Sequence, residues 1–285
     1  MWRPLNRPLP SLAGQVIWLI GASSGIGAAL AEQALAAGAR VALSARRESA
    51  LQQVAAQHPA ALVLPLDVTD AAAWTPAYAQ LLAQFGPPDL VLFCAADYRP
   101  ERVWEVDAAR AEATLQLNLA SVYHALQTVL PDMLARRQGG IGLIASVAGL
   151  IGLPNASVYG PSKAALINLA EILYCDLAPH GLNVYLINPG FVQTGLTAKN
   201  QFVMPALQTP AQAASAIWRG VARGAFEIHF PQRFTWWLKL ARILPYRLRF
   251  YILQRFVGNT LPGMPYQPPR QAPSQSVLRH DEGAR

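Results

Sequence analysis

Val16–Ile20 is five apolar residues with no polar interruption, and it runs straight into Gly21. A strand with one face in water alternates polar and apolar residues, whereas a strand covered on both faces reads as a continuous apolar run. An alanine-rich helical pattern follows over residues 25–38 and ends on glycine, a common helix stop. The same unit recurs, with strands predicted at 40–44, 61–66, 90–94, 141–145, 182–187 and 226–230. Helices are predicted between them at 48–57, 71–85, 108–137, 157–177 and 210–223. Pro131, inside the longest helix, is expected either to kink it or to start a new segment. Covered strands alternating with helices, joined by right-handed crossovers, predict an α/β fold: a doubly wound parallel sheet of Rossmann-like type. This domain is expected over residues 14–231. An N-terminal arm (1–13), a basic amphipathic extension (232–258) and a Pro/Gln/Ser-rich tail (259–285) read as disordered complete the chain.

Composition narrows the function classes. Hydrophobic residues make up 53% of the 285, enough for one large core, and charged residues only 14%. No apolar run approaches the roughly 18 residues of a spanning helix. Arg3 and Arg7 before Val16–Ile20 mimic an export signal, but the apolar run is short and cleavage near Ala22 would cut the glycine loop, so a cytoplasmic location is expected. Cys94 and Cys175 make neither a disulfide framework nor a zinc site and are expected to be buried. The five histidines lack ligand spacing, so no metal is expected. The net charge of +7 is regional: acidic and basic residues balance through Glu227, and no acidic residue occurs from Ile228 to His280. An excess confined to the C-terminal region does not indicate a nucleic-acid-binding core.

Between the first strand and its helix stands Gly21-Ala22-Ser23-Ser24-Gly25-Ile26-Gly27. Glycines there permit a tight turn and let backbone N–H groups approach a pyrophosphate at a helix N-terminus. A carboxylate ending the second strand would take a ribose 2′-hydroxyl. This chain instead has Arg46 and Arg47, suited to a 2′-phosphate, so NADP is the expected cofactor.

Ser146 follows the fifth predicted strand, and Tyr159 and Lys163 lie at i and i+4 on one face of a predicted helix. Tyrosine, with a pKa near 10, is a poor base at neutral pH. A positive charge about 4 Å away contributes roughly 4 kcal/mol at an effective dielectric of 20, or about three pKa units. Lys163 is therefore expected to bring Tyr159 toward neutrality as an acid/base, with Ser146 donating to a developing oxyanion.

These motifs resemble the short-chain dehydrogenase/reductase family from about residue 14 to 231. The resemblance implies hydride transfer between nicotinamide and a carbonyl or alcohol carbon. It assigns Asn118, Ser146, Tyr159 and Lys163 as the catalytic set, with Asn118 helping to hold a proton-relay water and Lys163 also bonding the nicotinamide ribose. Cofactor contacts are implied from Gly21, Ser23, Ser24, Gly25, Ile26 and Gly27, from Arg46 and Arg47, and from Asp67 and Val68 at the adenine. Ala95, Tyr159 and Lys163 join them, as do Pro189, Gly190, Val192 and Thr194 at the nicotinamide. Two departures stand out: Ile20 replaces the family's threonine, and Phe93-Cys94-Ala95-Ala96 replaces Asn-Asn-Ala-Gly, which removes a side chain that braces the loop. A cofactor-binding regulator without turnover and a membrane-associated scaffold are the alternatives.

Specificity is expected in residues 96–106, 148–158 and 196–206, where Leu196, Phe202, Val203 and Met204 suggest an apolar substrate. The resemblance implies a homodimer or homotetramer through the helices that carry Asn118 and Tyr159. In the tail, Trp236, Trp237, Leu240, Ile243 and Leu244 share a helical stripe over 233–244, and 246–257 adds further arginines. That segment, 233–257, fits peripheral contact with an anionic membrane. Covering the pocket or building a subunit interface would use the same residues.

Overall fold

A computed structural model of the chain describes residues 3–200 and 204–256. The expectations for Phe202, Val203 and the 259–285 tail lie outside the described residues. The described strands are β1 (Val16–Ile20), β2 (Arg40–Ala45), β3 (Ala61–Pro65), β4 (Leu90–Phe93), β5 (Gly140–Ile144), β6 (Asn183–Pro189) and β7 (Glu227–Phe230). They form one sheet in the order β3-β2-β1-β4-β5-β6-β7 with every neighbouring pair parallel. The helices are α1 (Gly25–Ala36), α2 (Glu48–Ala55), α3 (Trp74–Phe85), α4 (Ala108–Leu115), α5 (Ser121–Arg136), α6 (Tyr159–Leu177), α7 (Pro210–Ala222), α8 (Gln232–Ile243) and α9 (Tyr246–Phe256).

The doubly wound α/β sheet expected from the apolar runs is present, and β1 shows why its sequence is uninterrupted. Val16, Trp18 and Ile20 face one core layer with Trp74 and Leu81 of α3, Val129 of α5 and Leu166 of α6. Ile17 and Leu19 face the other with Leu30 of α1 and Ile217 of α7. Ser44, the polar residue within β2, is wholly buried and accepts a hydrogen bond from Trp18 Nε1 at 2.9 Å. That bond removes the cost of burying two unpaired polar groups. Strand order reverses at β1 and β4, which opens a crevice at the carboxyl ends of the strands.

The helix expected over 108–137 is present without a break at Pro131, and it changes pitch once along its length. Residues Gln116–Ala120 form a π-helical segment between α4 and α5, while Pro131 lies inside α5. Within this turn Ser121 Oγ donates to the Leu117 carbonyl at 2.6 Å, and Asn118 is fully buried and bonded to distant groups described below. The N-terminal arm is tied down by Asn6, whose amide donates to Val184 O (2.7 Å) and accepts from Val184 N (3.0 Å). Asn6 thereby satisfies β6 just before its pairing with β7 begins at Leu186. Cys94 is partly buried, but Cys175, expected inside, is exposed on the outer side of α6. Among the described residues no helix is long and apolar enough to cross a membrane.

Candidate active site

The glycine loop is shaped by a close crossing of two strand exits. A Cβ on Gly21, whose φ is +91°, would lie 2.5 Å from Ala95 N and 2.8 Å from Cys94 C, both backbone of the segment leaving β4. A Cβ on Gly27 would lie 2.2 Å from the Gly21 carbonyl oxygen. Gly25, at φ +59°, has Thr194 Cγ2 3.0 Å from the same hypothetical atom, so the loop and the segment after β6 face each other closely. Ser24 stands at the N-cap position of α1 without capping it through its side chain.

Beside this loop a cleft of about 1080 Å³ runs along the strand ends. It is lined by Gly21, Ser23, Ser24, Gly25, Ile26 and Gly27, by Arg46 and Arg47 beyond β2, and by Val68 and Ala95. Ser146, Tyr159, Lys163, Pro189, Gly190, Val192 and Thr194 line it too. Two of the predicted catalytic and cofactor residues stand outside this lining, as does Met204 of the predicted specificity loops. Asp67 is exposed, and its carboxylate accepts from Thr69 N (3.0 Å) and Thr69 Oγ1 (2.7 Å). Those bonds, and less strongly the Arg46 charge, hold the Asp67 carboxyl below its ordinary pKa.

The other is Asn118, whose amide is fully used within the protein. Its Oδ1 accepts from Asp97 N at 2.7 Å, and its Nδ2 donates to Asp97 O at 2.9 Å and to Ser162 Oγ at 3.1 Å. The π-helical turn thus makes Asn118 a brace for the segment after β4, where the family's second loop asparagine is missing.

Ser146 leaves β5, and its Oγ accepts from Ala148 N at 3.1 Å, which leaves its hydroxyl proton to bond the Tyr159 oxygen. Tyr159 opens α6, and Lys163 follows one turn later, 1% exposed, with Nζ donating to the Ile144 carbonyl at 2.8 Å. The ammonium lies 5.5 Å from the centre of the Tyr159 ring.

The expectation that Lys163 draws Tyr159 toward neutrality is not met. Burial pushes the Tyr159 hydroxyl up to about 12, the Ser146 bond opposing and the adjacent Tyr98 adding to the rise. Burial also pushes Lys163 down to about 8. The same desolvation penalises both charged forms, and the ammonium points at a carbonyl and the ring face rather than at the hydroxyl. Cys94 is likewise raised to about 12 by burial, which makes it an inert thiol at neutral pH.

Four further residues shape the cleft around Tyr159. Tyr98 packs edge-on against it with ring centres 4.9 Å apart and donates from its hydroxyl to Asn200 Oδ1 at 2.8 Å. Phe234 and Leu238, one turn apart on α8, line the cleft, and Phe234 packs on Phe191 at 5.8 Å. Tyr98 and Asn200 fell within the predicted specificity loops, but no local signal paired them across 102 residues. The i, i+4 spacing of Phe234 and Leu238 was legible. The expected extension from residue 232 therefore starts with a helix that is part of the cleft wall. Lys239 of α8 pairs with Glu227, which also accepts from Asn188 Nδ2 at 3.0 Å, and His229 bonds Thr235 Oγ1 at 2.6 Å.

The residues present fit a dinucleotide. The loop admits no Cβ at Gly21 or Gly27, the first turn of α1 borders the cleft uncapped by Ser24, and two arginines lie beyond β2.

Residues 15–202 match the family model described as short chain dehydrogenase. The chain is 34% identical over 229 residues to an uncharacterized oxidoreductase of Myxococcus xanthus, covering 79% of this chain and 90% of that protein. It is 31% identical over 185 residues to the 3-oxoacyl-(acyl-carrier-protein) reductase FabG of Escherichia coli, with 65% and 76% covered. A short-chain dehydrogenase structure from Streptomyces avermitilis is similar with a TM-score of 0.74 and 26% identity, over 86% of this chain and 98% of that one. A 3-ketoacyl-(acyl-carrier-protein) reductase from Brucella melitensis, complexed with NADH, is similar with a TM-score of 0.70 and 25% identity, over 77% and 98%. The family match, the sheet order and the glycine-floored cleft agree: the chain belongs to the short-chain dehydrogenase/reductase family and is an oxidoreductase using a nicotinamide cofactor.

Proposed function

We propose that the chain is an NADP-dependent oxidoreductase acting between the carbonyl and secondary-alcohol states of an apolar substrate, with Tyr159 as its acid/base. The observation that carries this reading is the meeting of Ser146, Tyr159 and Lys163 in the same cleft as the glycine loop, Arg46 and Arg47. Bound nicotinamide supplies or accepts the hydride. Tyr159, kept protonated by burial, donates its proton to the substrate oxygen, and Ser146 donates a hydrogen bond to the same oxygen. Lys163, held on the Ile144 carbonyl, keeps a positive charge under the ring below about pH 8.

The 2′-phosphate preference rests on the arginines and on the lack of a carboxylate at the end of β2. The apolar preference rests on Leu153, Phe191, Leu196, Phe234 and Leu238 in the cleft wall. Catalytic assignment of Asn118 is narrower: its side chain supports the reading as a brace that positions the segment under the cleft. Assembly as a homodimer or homotetramer is proposed through the helices around Asn118 and Tyr159, where Leu115, Tyr123 and Ile172 are exposed. The test is initial-rate oxidation of NADPH and NADH with a panel of apolar ketones and aldehydes. Turnover with NADPH preferred supports the proposal. Tight NADPH binding with no turnover on any carbonyl would leave a cofactor-binding regulator instead.

A further inference from the structure

The two faces of α8 do different things. Phe234 and Leu238 look into the cleft, while Trp236, Leu240 and Ile243, at i, i+4 and i+7, lie on the opposite face with Trp237 beside them. These four are 60%, 48%, 76% and 72% exposed in that order. Helix α9, which follows it, also carries exposed Tyr246 and Phe250. A large apolar residue in water is ordinary when it stands alone, but a cluster of this kind marks an interaction surface. Helix α8 is tied to the sheet, with Lys239 paired to Glu227 of β7 and Thr235 bonded to His229, and Leu253 of α9 is buried.

Charge narrows the partner. Arg233, Arg242, Arg247 and Arg255 are exposed on the same two helices, and residues 232–256 contain no Asp or Glu. An isologous contact with a second copy would bring these arginines onto each other with no carboxylate to offset them. Exposed tryptophan, tyrosine and aliphatic side chains on two helices whose exposed charges are all arginines match the headgroup region of an anionic bilayer. Since no described helix can cross a membrane, the contact is peripheral. We infer that the outer face of α8 and α9 is a docking surface for an anionic lipid membrane, set back to back with the cleft wall.

The experiment is co-sedimentation of the full chain with vesicles of phosphatidylcholine alone or mixed equally with phosphatidylglycerol. The expected result is binding to the anionic vesicles at least about tenfold tighter than to neutral ones, weakened as salt rises from about 50 to about 500 mM. The variant Trp237→Gln/Leu240→Gln/Ile243→Gln should lose at least about tenfold in vesicle affinity with an unchanged far-ultraviolet circular dichroism spectrum. A second variant, Arg242→Gln/Arg247→Gln, should lose the preference for anionic vesicles. A wild type that stays in the supernatant with anionic vesicles at low salt overturns the inference. So does a triple variant that binds vesicles as the wild type does. A triple variant that falls apart from a dimer to a monomer by light scattering, its wild type indifferent to vesicles, assigns the face to a second copy.

Discussion

Gly21→Ala is the sharpest test of how the cleft floor is built. The residue adopts φ +91°, where alanine costs about 1–2 kcal/mol because its Cβ crowds the neighbouring carbonyl. The added atom would also stand 2.5 Å from Ala95 N, 2.7 Å from Ala95 Cα and 2.8 Å from Cys94 C. All three belong to backbone in the crossing of β1 and β4 exits, where no side chain can rotate away. Overpacking of this kind adds about 1–3 kcal/mol, for a total of about 2–5 kcal/mol. Gly14→Ala separates the two contributions, since Gly14 has φ +74° but nothing within 4 Å of the same hypothetical atom. It should cost only the conformational part, about 1–2 kcal/mol. The stiffening of the unfolded chain by alanine is common to both variants and cancels in the comparison. Urea unfolding without cofactor gives both values, provided the denaturant slopes match. Gly21→Ala should also weaken NADPH binding, and Gly14→Ala should not. If the two variants cost the same, the close crossing does not set the need for glycine at position 21, and the account of the cradle fails.

Tyr159→Phe should abolish carbonyl reduction while NADPH still binds, by single-turnover rates and fluorescence titration; a tenth of the wild-type kcat remaining would remove Tyr159 from the chemistry. Arg46→Asp should weaken NADPH at least about tenfold and leave NADH unchanged or improved, because a phosphate would then face a carboxylate. Equal kcat/KM for the two coenzymes in the wild type would refute the preference. Lys163→Met should raise stability at pH 7 by about 2 kcal/mol, since a lysine lowered from 10.5 to about 8 carries a burial penalty of about 3 kcal/mol and its bond to Ile144 returns about 1. Between about pH 8 and 10.5 the folded wild type has released this proton and the unfolded chain has not, so wild-type stability rises with pH and the advantage of the methionine variant disappears. A stability difference that stays constant from pH 7 to about 10.5 in urea titrations would contradict the buried ammonium. Ile172→Glu should lower the oligomeric state seen by light scattering at micromolar concentration; a wild-type monomer would end the assembly proposal.

The sequence by itself determined the doubly wound sheet, because strands covered on both faces must be apolar throughout, as Val16–Ile20 is. It also located the glycine loop and the Ser146, Tyr159 and Lys163 positions, since those depend on local spacing after a strand or along one helix. Contacts between distant segments were decided only by the tertiary structure. The π-helical turn at Gln116–Ala120 has no local signature, and it persists because Asn118 finds Asp97 and Ser162 as partners. Tyr98 meets Asn200 only because two loops distant in sequence come together at the cleft. The direction of the Tyr159 shift also escaped the sequence. Spacing shows that a lysine is near, but burial of both groups is a property of the surrounding fold, and here desolvation outweighs the charge. The stripe on α8 was legible, yet which face it turned to the cleft and which to water followed from where Glu227, His229 and Phe191 stand to receive it.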